Sequence, residues 1–261
     1  MSTDVMRPAP IPSALLQGYG ALWVREHGGE IVTEDLGIGR LFTWCGPRGE
    51  RVALPGRMYG IADMKGRGVG QCDLPAGVSV HLPPGVTTSS GVAHGVSHCL
   101  EAVDEESAWA LLKRVGRQGV RRAQRENAEA VVVDDRCYHT LGTMKAARFN
   151  SPPPPPHWLS WLRETFGVDN VCLLGVRYGG ETVAVVLSLR VEGYGMLLDG
   201  ASDPAFLHLC PNNLCVWETI RQLVNSGCQY VDLGFSEMGA GDARFKGHMG
   251  GTAFTLWRHG P

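Results

Sequence analysis

The sequence lacks most of the signatures that would fix a function directly. Its eight cysteines (Cys45, Cys72, Cys99, Cys137, Cys172, Cys210, Cys215 and Cys228) form no C-x-x-C pair. Several sit in apolar runs, where a reduced cysteine behaves as a small hydrophobe. That argues against a disulfide framework and for free thiols in a cytoplasmic protein. Positive charge is not in excess, with 24 Lys and Arg against 26 Asp and Glu. A globally basic nucleic-acid binder is thereby excluded, and any RNA contact has to come from a local patch. No apolar run approaches the roughly 18 residues of a membrane span. No charged start followed by an apolar stretch marks a secretory signal. No Ser or Cys stands in a G-x-S-x-G elbow, so a covalent acyl-enzyme is not indicated. Hydrophobic residues, at 44%, suffice for a sizeable core, and 261 residues admit one large domain or two small ones.

The order of patterns divides the chain. Residues 1–13 carry three prolines and read as a loose arm. Residues 14–103 read as short strands broken by glycine, with candidates at 21–24, 40–44, 51–54, 78–82 and 95–103. Residues 104–261 form a second region. The spacing of Ala108, Leu111, Leu112 and Val115 predicts one helix over 104–127, acidic at its start and basic at its end. A strand at 131–133, a helix at 135–147, an extended run through Pro152–Pro156 and a short helix at 157–166 follow. A hairpin turning at Gly179-Gly180 comes next, then a strand at 194–198 and an amphipathic helix at 213–225. The chain ends with a strand at 229–233, a glycine-rich segment at 234–251 and a strand at 252–257. The sum is a mixed α/β sheet flanked by helices.

Four stretches in this order resemble the Fem-like peptidyltransferases of the GNAT acyltransferase superfamily. They are Gly119-Val-Arg-Arg-Ala-Gln-Arg-Glu-Asn127; Ser151-Pro-Pro-Pro before a Trp/Leu helix; Leu198-Asp-Gly-Ala-Ser-Asp203 with Pro211-Asn-Asn-Leu-Cys-Val-Trp-Glu218; and Tyr230-Val-Asp-Leu-Gly234 with Arg244-Phe-Lys-Gly-His-Met-Gly250. The resemblance implies an α/β (α+β) fold with a GNAT-like sheet and a shortened N-terminal GNAT-like subdomain. It also implies amide formation by transfer of an aminoacyl group from aminoacyl-tRNA to an amine. The short N-terminal region favours a small-molecule or peptide-like acceptor. No permanently bound cofactor is expected, and the shortened N-terminal region leaves a homodimer open. An acyl-coenzyme-A-dependent N-acyltransferase and a non-catalytic binding protein are the alternatives.

The same resemblance places Phe245 and Lys246 at the acyl-donor end. A cation after a glycine-rich loop suits an oxyanion or a phosphate, and Arg244 adjoins it. Asp232, at the end of a strand, is a candidate to orient or deprotonate the amine; an arginine pair is the structural alternative. Ser202, Asn212, Asn213, Ser236 and Tyr194 are candidate substrate contacts, although helix capping explains either asparagine equally well. Arg117, Arg121, Arg122 and Arg125 recur at spacings of three and four, a stripe suited to RNA phosphates or a pyrophosphate, or simply a solvated face. Three patterns are set aside. Gly66-x-Gly68-x-Gly70 lacks the Lys-Ser/Thr ending of a phosphate loop. His94-x-x-x-His98-Cys99 has metal-ligand spacing only on a helix, and Gly95-Val96 argue for a strand. Pro152–Pro156 reads as a rigid spacer.

Overall fold

The computed structural model describes residues 11–35, 40–49, 51–53, 61–62, 70–71, 80–81, 86–87 and 92–259. Most of the proline-rich arm, most of the glycine triplet at 66–70 and Cys72 lie outside the described residues. The chain forms two compact units. The first comprises Met1–Ser97, Phe235–Ala243 and Ala253–Pro261; the second comprises His98–Gly234 and Arg244–Thr252.

In the first unit, α1 (Ser13–His27) leads into β1 (Glu30–Asp35), β2 (Arg40–Cys45), β3 (Arg51–Ala53) and β4 (Ile61–Ala62). β2 pairs antiparallel with each of the other three strands. The strand expected at 21–24 is instead the last part of α1. Its apolar residues continue the buried positions Leu15, Leu16 and Gly20 at helical spacing, a period that a four-residue window cannot show. The helix stops at Gly28, whose φ of 73° favours glycine, and Trp44 donates its indole N–H to the Gly28 carbonyl at 2.8 Å. The short strands β5 (Gly70–Gln71), β6 (Val80–His81) and β7 (Val86–Thr87) precede the long β8 (Val92–Glu101).

The helix expected over 104–127 is two helices, α2 (Glu105–Leu111) and α3 (Arg114–Arg125). Asp104 and Ser107 close a reciprocal capping box at the start of α2. Leu112 then turns extended, with ψ of 136°. The guanidinium of Arg117 reaches back from α3 to the carbonyls of Ala110 and Leu112, the first at 3.3 Å. A periodicity reading cannot see that break, because the apolar spacing survives it.

β9 (Glu129–Val132), α4 (Asp135–Phe149), α5 (Trp158–Phe166), β10 (Val171–Tyr178), β11 (Glu181–Val191), β12 (Tyr194–Ser202), α6 (Pro211–Asn225) and β13 (Tyr230–Asp232) complete most of the second unit. The proline run between α4 and α5 passes so close to α4 that a Cβ on Gly142 would stand 2.6 Å from Pro154. In this unit the sheet runs β8–β13–β12–β11–β10–β9. β12 and β13 are parallel and the other neighbours antiparallel, giving the expected mixed sheet flanked by helices. The core lies beneath α3 and α6, where Val120, Ala123, Leu214, Ile220, Val231 and Leu233 are buried together. Trp109 of α2 meets Trp217 of α6 edge to face, with ring centroids 4.7 Å apart.

Beyond β13 come β14 (Ser236–Glu237), α7 (Gly241–His248) and β15 (Thr252–His259). The glycine-rich segment therefore contains a strand fragment and a two-turn helix. β14 pairs with β8 at Val96 and Gly95, and β15 pairs with β6.

Candidate functional site

The feature that organises the site is where two parallel strands separate. β12 and β13 pair at Tyr194–Tyr230, Gly195–Val231 and Met196–Asp232, and there β13 ends. β12 continues to Ser202 against β11, with Leu198 as an extra residue between the pairs Ser188–Leu197 and Leu187–Asp199. Such a bulge increases the local twist and redirects the strand. From Leu197 onward, the edge of β12 that faced β13 has no strand partner among the described residues. Carbonyls and amides at such an opening are available to a bound chain.

Asp232 sits at the fork and is completely buried. The Tyr194 hydroxyl donates to its Oδ2 at 2.8 Å, and the Gly234 amide donates to its Oδ1 at 2.7 Å. The second contact is an Asx-type turn, which fixes the chain leaving the strand. Gly234 has φ of 79°, and a Cβ there would stand 2.8 Å from the Leu197 carbonyl oxygen, so both the conformation and the space require glycine. The Gly234 carbonyl then accepts the Lys246 ammonium at 3.0 Å. Tyr194, Asp232, Gly234 and Lys246 thus form one connected arrangement, with Phe245 packed against the core to seat α7.

One residue of this neighbourhood has no assigned role in the sequence reading. His98 is 7% exposed, and its backbone carbonyl accepts the Leu233 amide at 2.9 Å, directly beside the fork. A Cβ on Gly247 would stand 3.2 Å from His98 Nε2, so α7 rests close on the ring. Its Nδ1 is buried without a hydrogen-bond partner. Burial and the charges of Lys113 and Lys246 hold its pKa below the ordinary histidine value, opposed by Asp232. The signal for His98 was present as the His94–His98 spacing, but a strand does not bring residues four apart together as a helix does.

The other candidates disperse. Ser202 accepts the Asn212 side-chain amide at 3.0 Å, joining the end of β12 to the start of α6. Asn213 lies against α3, where a Cβ on Gly119 would meet its side chain at 2.5 Å, and it donates to Met249 Sδ. Ser236 belongs to the first unit and donates to Asp242 at 2.9 Å. Arg244 is exposed. Arg117 is engaged with the end of α2, whereas Arg121, Arg122 and Arg125 are exposed on α3, with Arg121 lying over Trp109 at 5.7 Å from the ring centroid. Burial raises the thiol pKa of Cys99 and Cys215 and takes Cys228 up to about 11, so these three stay protonated at neutral pH.

Comparison with known proteins agrees with this architecture. The chain is similar in structure to FemX, with a TM-score of 0.55 at 11% identity, over 64% of this chain and 61% of that one; it therefore spans about three fifths of FemX. It is similar to the C-terminal domain (DUF2156) of a putative lysylphosphatidylglycerol synthetase from Agrobacterium fabrum, with a TM-score of 0.57 at 12% identity, over 92% of this chain and 86% of that one. A conserved protein of unknown function from Bacteroides thetaiotaomicron gives a TM-score of 0.60 at 9% identity, over 97% and 92%. At these identities the likeness concerns the fold alone. No curated protein matches the sequence. The family model described as an acetyltransferase (GNAT) domain matches residues 109–247, more than half of the 261 residues. That stretch runs from α2 to Gly247 and includes the strand fork with Lys246, and the chain belongs to the GNAT acetyltransferase domain family.

Proposed function

We propose that the protein forms an amide by passing an activated acyl group directly to an amine, with the acyl carbonyl bound where β12 and β13 part. The observation that carries this reading is the Lys246 ammonium, held on the Gly234 carbonyl at that fork. A fixed cation beside a reacting carbonyl stabilises the charge that develops on its oxygen, typically the largest single catalytic contribution. Asp232 acts in this scheme by positioning: it fixes the turn at Gly234 and through that turn the lysine. Holding both reactants at the fork supplies the remainder by proximity, and no covalent enzyme intermediate is required.

The donor we favour is an aminoacyl-tRNA. Three exposed arginines on α3 (Arg121, Arg122 and Arg125) offer a local footprint for phosphates in a chain with no overall basic excess. The Fem-like stretches support the same choice, and a small soluble amine is the acceptor class. A second reading, acyl transfer from an acyl-coenzyme A, is favoured by the family's description as an acetyltransferase domain.

Thermal shift separates the two donors. A rise in Tm with aminoacylated bulk tRNA, exceeding that with acetyl-coenzyme A, is the expected result. A rise with acetyl-coenzyme A alone assigns the coenzyme-A reading, and a rise with neither removes both.

A further inference from the structure

The orphan nitrogen of His98 has a use in this chemistry. An amine that attacks an acyl ester must shed a proton, and a neutral base held close to the bond being made speeds that loss. Asp232 is poorly suited, since both its oxygens already accept hydrogen bonds inside the protein. His98 Nδ1, in contrast, is buried with no partner. A buried polar atom left in this state costs roughly 1–3 kcal/mol, and a catalytic role is one of the recognised reasons a protein keeps such an atom.

Three further features keep the ring in place and suited to the task. It stands within β8, with its own carbonyl accepting the amide of Leu233, the residue before Gly234. Its Nε2 side is closed by α7 at Gly247, where any larger residue would displace the ring or the helix that carries Lys246. The charged groups that bear on it are Lys113 at the junction of α2 and α3, Lys246 of α7 and Asp232 of β13. Burial and the two ammonium groups outweigh the carboxylate, so the imidazole is predominantly neutral at pH 7.

We propose that His98 is the general base of the transfer, taking the acceptor's proton on Nδ1. The amine nitrogen bonds to the acyl carbon, and its extra proton passes to Nδ1. The bond from that carbon to the donor's ester oxygen then breaks, and the imidazolium returns the proton to that oxygen, releasing a free hydroxyl and the amide. With a thioester donor the same proton goes to sulfur. This inference rests on the acyl-transfer reading above.

The test uses the full chain with His98→Asn, which keeps a polar group near the Nδ1 position but supplies no base, and with His98→Gln as a second variant. In single-turnover assays from aminoacylated tRNA, the expected result for His98→Asn is a rate about 10²–10⁴-fold lower. Donor binding by anisotropy should change less than about threefold, and the acid limb of the wild-type pH–rate profile should disappear. A rate within about threefold of wild type, with the acid limb intact, overturns the proposal. Nitrogen-15 spectra of the substrate-free protein judge it independently of turnover. Nδ1 is expected to be unprotonated at pH 7, and a proton on Nδ1 at that pH overturns the assignment whether or not the variants fold. A wild-type protein that transfers from neither tRNA nor coenzyme A fails the acyl-transfer reading instead, a result distinct from either of these.

Discussion

Two carboxylates of one sheet are held almost identically and serve different ends. Asp199, on β12, accepts the Tyr138 hydroxyl at 3.0 Å and the Gly200 amide at 2.8 Å, and is paired with Lys145. Asp232, on β13, accepts the Tyr194 hydroxyl at 2.8 Å and the Gly234 amide at 2.7 Å. Each thus receives one tyrosine and one nearby backbone N–H. They differ in exposure and in the lysine. Asp199 keeps 22% of its side chain exposed and takes Lys145 directly, an ion pair that ties α4 to the sheet. Asp232 is wholly buried, and the lysine of its neighbourhood is seated on the next carbonyl along the turn. The first arrangement fastens a helix, while the second shapes a turn and points a cation. Burial together with the Asp199 charge raises the Tyr138 phenol pKa, so that tyrosine remains a donor throughout the physiological range.

Stability offers the largest contrast. Asp232→Ala removes the acceptor of two buried hydrogen bonds, each at roughly 1–3 kcal/mol, whereas the groups around Asp199 are partly open to water. Denaturant unfolding should therefore show Asp232→Ala losing about twice as much as Asp199→Ala. Equal losses would erase the distinction between the two carboxylates.

The exposed arginines of α3 offer a second contrast. Replacing Arg121, Arg122 and Arg125 with Gln should weaken binding of aminoacylated tRNA and flatten its salt dependence by about one unit of slope per arginine. The transfer rate at saturating donor should stay unchanged. Arg117→Gln belongs to a different class, since its guanidinium bonds the carbonyls that end α2, and it should lower Tm more than it alters the salt slope.

The smallest expected effect is in acid. The folded protein holds the His98 pKa below its ordinary value, so the unfolded chain binds this proton more readily. Stability from this group is complete above about pH 6.5 and falls as pH drops from there toward the folded pKa. Tm against pH should accordingly fall less steeply below that point in His98→Asn than in wild type, and superimposable curves would contradict the environment described for His98.

Much of the second unit was legible in the sequence because its signals are local. The hairpin turn at Gly179-Gly180, the strand at Tyr194 and the amphipathic α6 announce themselves through period and punctuation. The break between α2 and α3 was hidden because it depends on a guanidinium reaching back along the chain from Arg117. α1 was misread at 21–24 because its buried positions begin several residues earlier. Lys246 and Asp232 could be singled out by motif and strand position, but their connection through Gly234 is a tertiary fact. His98 was passed over because the only pattern it displayed was a metal spacing, and its significance lies in the partner that Nδ1 lacks.

In the proposed function the lysine at the strand fork drives acyl transfer. Its most direct test is single-turnover conversion of labelled acyl ester to amide, from aminoacylated bulk tRNA and from acetyl-coenzyme A, with a panel of amino acids and short peptides as acceptors. Wild type, Lys246→Met and Lys145→Met should be compared with folding checked by circular dichroism. Transfer by wild type is expected, with a rate about 10²–10³-fold lower for Lys246→Met and a near-normal rate for Lys145→Met. Transfer by Lys246→Met at the wild-type rate, or the same loss from either lysine, would contradict that role for Lys246.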